Sequence, residues 1–79
     1  MTKSIFDPRY RRLIDFLRRR RRELGLTQSL VTDQLGVSRS WLGKVEQCER
    51  RIDVIELFRL SDIYEISWSE IGAILKERP

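Results

Sequence analysis

Apolar side chains recur along this chain at three- and four-residue steps, the period of one helix face rather than of a strand. Tyr10, Leu13, Ile14, Leu17 and Leu24 form the first stripe, which predicts a helix over about 9–24, ended by Gly25. Pro8 suits its first turn, where the N–H that proline lacks has no intrahelical partner anyway. Residues 1–7 lack the period, so 1–8 read as a short arm and 9–79 as a single domain. Thr27 is placed to cap a second helix, Gln28 to Leu35, by accepting from a free backbone N–H. Gly36 stops that helix with the left-handed backbone that glycine adopts without a Cβ clash. Ser38 caps a third, from Arg39 to about Gln47. After a polar connection, Asp53 caps a fourth helix to about Tyr64, with Val54, Leu57, Phe58 and Ile63 as inward candidates. Ser67 caps a fifth, from Trp68 to about Lys76. Alternating runs bounded by turn dipeptides are missing, so the fold class is all-α.

Composition narrows the chemistry. The 79 residues fit one domain, and 41% hydrophobic with 35% charged residues suits a folded helical domain with a solvated surface. Sixteen Lys and Arg against 12 Asp and Glu give a net charge of +4. That favours a polyanionic partner only weakly. Placement says more: eight of the positives crowd between Arg9 and Arg22, and Arg18 to Arg22 are consecutive. The lone Cys48 and the absence of histidine leave no internal disulfide, no usual zinc cluster and no common general base. The reading is therefore not an enzyme, with no metal and no cofactor. Neither a membrane-spanning run nor a signal-peptide core is apparent, which points to the cytoplasm.

Within residues 27–47, Val31, Leu35, Val37, Leu42 and Val45 are spaced to close two helices and their turn over one small core. Arg39, Ser40, Trp41, Gly43, Lys44 and Gln47 then face outward. This is the sequence form of a helix-turn-helix, whose second helix enters the major groove of DNA. Arg21, the run Gly25-Leu26-Thr27-Gln28, Leu35-Gly36, Ser40 to Glu46 and Glu49 to Asp53 make the resemblance specific. Over roughly residues 10–71 the chain resembles the Xre/Cro family of lambda-repressor-like regulators. The resemblance implies a compact five-helix bundle that binds operators as a dimer. It also implies a buried or half-buried ion pair between Arg21 and Glu46, and a phosphate contact from Gln28. Three positions depart from the family pattern: Thr32 for the preferred alanine, Cys48 for the glycine after the recognition helix, and Glu65 for the glycine closing the fourth.

Each exposed position then has an expected role. Arg39 and Ser40, in the first turn of the recognition helix, reach base edges; an arginine there can bond guanine O6 and N7 together. Trp41 packs on a thymine methyl or a sugar edge. Gly43 lets backbone and phosphate approach closely or permits close packing against another helix; Lys44 contacts base or phosphate, and Gln47 adds a contact beside it. Thr27, Gln28, Arg50 and Arg51 supply the phosphate contacts that fix register. Trp68, Ile71, Ile74 and Leu75 exceed what one short helix needs and are candidates for a homodimer interface. The expected function is a sequence-specific DNA-binding transcriptional regulator, a repressor more often than an activator. The alternative is an antitoxin or another protein-binding module using the same fold.

Overall fold

A computed structural model describes residues 6–77. Most of the expected N-terminal arm, and the last two residues, lie outside the described residues. The described residues form five helices in order: α1 (Pro8–Glu23), α2 (Gln28–Leu35), α3 (Arg39–Glu46), α4 (Val54–Ile63) and α5 (Trp68–Lys76). No strand occurs among the described residues. The class is all-α, as expected, with helix bounds within a residue of the sequence reading.

Local chemistry accounts for most helix starts. Asp7 caps α1, its carboxylate accepting from the Arg9 N–H at 2.8 Å and pairing with the Arg9 guanidinium. Those bonds hold the Asp7 pKa down at about 2. Thr27 Oγ1 accepts from the Leu30 N–H at 3.1 Å. Reciprocal capping boxes start α4, from Asp53 and Glu56, and α5, from Ser67 and Glu70. Ser38, placed to cap α3, makes no such bond; its hydroxyl lies 3.4 Å from that of Ser40 instead.

The core gathers Leu13, Ile14 and Leu17 of α1 with Val31 and Leu35 of α2, Leu42 and Val45 of α3, and Ile71 of α5. α4 contributes Leu57 and Leu60, and Tyr64 follows them. This corrects the inward set expected for α4. Leu57 is buried and Ile63 half-buried, but Val54 and Phe58 are 64% and 52% exposed. Leu57, Leu60, Ser61 and Tyr64 share the inward face at three- and four-residue steps, and Phe58 sits about 100° round from Leu57. The polar Ser61 disguised that stripe. Its hydroxyl is satisfied within the helix, donating to the Leu57 carbonyl at 2.7 Å.

Thr32 is fully buried and donates to the Ser29 carbonyl at 3.1 Å, so its hydroxyl costs little at the α2–α3 contact. Four of the described residues take left-handed backbone: Gly25 (φ 72°), Gly36 (φ 71°), Cys48 (φ 58°) and Glu65 (φ 57°). Cys48 and Glu65 thus keep a glycine-like conformation without being glycine, at about 1–2 kcal/mol each.

Candidate nucleic-acid interface

One ionic network sets the attitude of α3. Arg21 of α1 donates from Nε to Glu46 Oε2 at 2.7 Å and from Nη2 to Glu46 Oε1 at 3.0 Å. Its Nη1 bonds the Leu26 carbonyl at 2.8 Å. Both side chains are under 10% exposed, at 9% and 7%. The bonds to Glu46 raise the Arg21 pKa above its ordinary value despite burial. Gln28, at the start of α2, adds a third bond to Glu46, Nε2 to Oε1 at 2.9 Å. Three helices therefore meet at one carboxylate. The Gln28 amide, expected on a phosphate, is engaged inward in this network.

Beneath α3, Leu42 and Val45 are buried as expected, and so is Trp41, at 6% exposed. The outward placement of Trp41 is thus corrected. Trp41 and Val45 are four residues apart and so only about 40° apart around the helix, which draws the indole in beside Val45. The Arg50 guanidinium lies 5.6 Å from the centroid of its ring. The indole Nε1 is buried and has no hydrogen-bond partner among the described residues.

Arg39, Ser40, Lys44 and Gln47 occupy the exposed side of α3, with Gly43 half-buried at its edge. The side chains of Arg39 and Lys44 make no hydrogen bond or ion pair among the described residues. At Gly43, a Cβ would meet only the Gln28 Oε1, at an ordinary 3.7 Å. Packing within the chain therefore does not demand glycine there.

The connection after α3 is anchored to α1. Tyr10 Oη accepts from the Ile52 N–H at 3.0 Å and reaches the Arg50 carbonyl at 3.5 Å. Arg50 bonds Glu56 at 3.2 Å from Nη1 while remaining partly exposed, and Arg51 is exposed. Both cations expected here are at the surface, and Arg50 is held rather than loose.

Among the dimer candidates, Ile71 is a core residue, Ile74 is half-buried, and Trp68 and Leu75 are exposed. Trp68 stacks on Phe58, ring centroids 6.3 Å apart and planes 9° apart. Val54 lies on the same face of α4 as Phe58, and Ile55 is as exposed as Val54. The sequence reading missed these α4 residues as surface. The signal was available: α4 carries more large apolar side chains than one inward face can hold.

No helix among the described residues is long and apolar enough to cross a membrane. In comparisons with known proteins, no curated protein and no solved structure matched the chain. A family model described as "Helix-turn-helix domain" matches residues 12–74, which include α2, Gly36 and α3 together with most of the helices that brace them. By that match the chain belongs to the helix-turn-helix domain family.

Proposed function

We propose that this protein is a sequence-specific DNA-binding transcriptional regulator of the Xre/Cro type, acting in the cytoplasm as a repressor. The observation that carries the reading is the contrast across α3. One side is fixed by Trp41, Leu42, Val45 and Glu46, and the other presents Arg39 and Lys44 without partners. A helix with side chains is about 10–12 Å wide, close to the width of the major groove. With α3 in that groove, Arg39 and Ser40 meet base edges, and Lys44 and Gln47 meet bases or phosphate. Gly43 leaves room for close approach. Thr27, the backbone at Gln28, Arg50 and Arg51 take phosphates on either side.

The protein binds as a homodimer in this reading, since one module of this size makes few base contacts. The interface is drawn from Trp68, Leu75 and Ile74, joined by Phe58, Val54 and Ile55; Ile71 contributes from within the core. The same apolar face supports the second reading, a protein-binding module such as an antitoxin, because a stacked, half-exposed Phe58 and Trp68 would suit a protein partner equally well.

Selection of bound duplexes from a random pool, followed by titrations at several salt concentrations, tests the leading reading. A single enriched, two-fold symmetric motif is expected. Equal affinity for every duplex, collapsing with salt, would overturn it.

A further inference from the structure

The arginines of α1 are not all used alike. Arg21 holds Glu46, Arg20 donates to the Tyr64 carbonyl at 3.0 Å, and Arg12 reaches the Glu77 carbonyl at the end of α5. Arg9 pairs with Asp7. The side chains of Arg11, Arg18 and Arg22, by contrast, are exposed and make no hydrogen bond or ion pair among the described residues. At about 100° per residue they lie within about 40° of one another, one stripe along the helix. Arg18 and Arg22 also line, with Arg19 and Asp15, a shallow hollow of about 280 Å³.

The stripe has a definite position relative to α3. It begins about 60° round α1 from Arg21, the side chain that reaches α3. Arg20, which reaches Tyr64, lies on the other side of Arg21. Helices in contact sit about 8–10 Å apart, and α1 touches α3 directly through a side-chain pair. When α3 fills a major groove, the strand bordering the groove on that flank runs beside α1 and the start of α2. Like charges at i and i+4, as in Arg18 and Arg22, cost an isolated helix a few tenths of a kcal/mol. Their position near the negative end of the helix dipole offsets part of that cost.

We propose that Arg18 and Arg22, with Arg11 extending the row, form a second phosphate-binding surface that lengthens the DNA footprint beyond the recognition helix. The inference rests on the DNA-binding reading and adds to it contacts from α1. The two guanidiniums are about 6 Å apart along the axis, so each takes its own phosphate of one strand. Asp15 stands beside them and opposes phosphate approach, and its removal therefore strengthens binding.

The test compares the native chain with Arg18→Gln/Arg22→Gln and with Asp15→Asn. Each is titrated with the selected duplex, and with a version trimmed at both flanks, between 50 and 200 mM salt. Two lost phosphate contacts should reduce the salt slope by about 1.8 and remove about tenfold of the affinity loss across that range. The difference should vanish on the trimmed duplex, and Asp15→Asn should bind the full duplex more tightly than native. An unchanged slope in the double variant, with native binding intact, overturns the proposal and leaves the stripe to an acidic protein partner. Failure of the native chain to prefer any duplex overturns the DNA-binding reading itself, a different result. None of these side chains has a partner to lose, and thermal melts of both variants should coincide with native.

Discussion

Glu46, on the protein side of α3, accepts three hydrogen bonds from two other helices, whereas the side chains of Arg39 and Lys44 on the outer side make none among the described residues. No more than about two turns of helix separate the Glu46 carboxylate, held by three bonds, from cations with no internal role. The difference teaches how an eight-residue helix, too short to be stable alone, can still present a defined surface. Its stability comes from the side it hides, and, the Trp41 indole N–H apart, its unspent hydrogen-bonding capacity stays on the side it shows. Substitutions on the two sides should therefore separate: one set moves stability, the other moves base preference.

The largest effect is expected at the shared carboxylate. Glu46→Ala strands the buried Arg21 guanidinium and removes the partner of Gln28, which should cost about 3–5 kcal/mol of stability. In a domain this small that lowers the melting midpoint by well over 10 °C. A urea titration showing a loss below about 1 kcal/mol would mean that the pair is solvated and that α3 is held by apolar packing alone. Next comes Arg39→Ala, which should leave the urea midpoint unchanged while removing about 1–3 kcal/mol of discrimination at one base pair. A uniform drop across all duplexes would instead make Arg39 a phosphate contact. Lys44→Ala supplies the contrast, since it should weaken every duplex alike and flatten the salt slope.

Trp41 separates the two sides more finely. As a core residue, Trp41→Phe should cost no more than about 1.5 kcal/mol, because the ring is largely replaced and the lost Nε1 has no partner to strand. Its DNA affinity, measured at a temperature where the variant is fully folded, should match native. A selective loss of binding at T-containing sites, with stability unchanged, would return the indole to the groove.

Helix positions were legible in the sequence because they depend on local signals: Thr27, Asp53 and Ser67 as caps, Gly25 and Gly36 as stops, and apolar steps of three and four. The faces of the helices were legible only in part. On α3, Leu42 and Val45 leave room for a third inward residue on either flank, and periodicity does not choose between Trp41 and solvent. On α4, the polar Ser61 occupies a core position by bonding its own helix, while Phe58, the more apolar residue, is displaced outward onto Trp68. Such exchanges are decided by the fit of whole elements, to which a residue's own hydropathy is a poor guide. The Arg21–Glu46 pair, 25 positions apart, was visible through the family resemblance alone. The capture of Gln28 by that pair was not visible at all, because it depends on how three helices converge.

The smallest expected effects concern the two ends of α3. The turn before it uses Gly36 and the turn after it uses Cys48, with nearly the same left-handed backbone. Glu65 repeats the Cys48 arrangement after α4. A non-glycine residue there costs about 1–2 kcal/mol in the folded state, while glycine loses about 0.5–1 kcal/mol more entropy on folding. Glu65→Gly should therefore stabilise the domain by about 0.5–1 kcal/mol, since its exposed side chain gives up no packing. Cys48→Gly should gain less, because the thiol packs partly against the core. Urea midpoints resolve both, at roughly 1 kcal/mol per molar denaturant. A rise at Glu65 with a fall at Cys48 would mean that the Cys48 side chain holds the end of α3 in place, making the exit of that helix depend on packing where its start depends on a glycine.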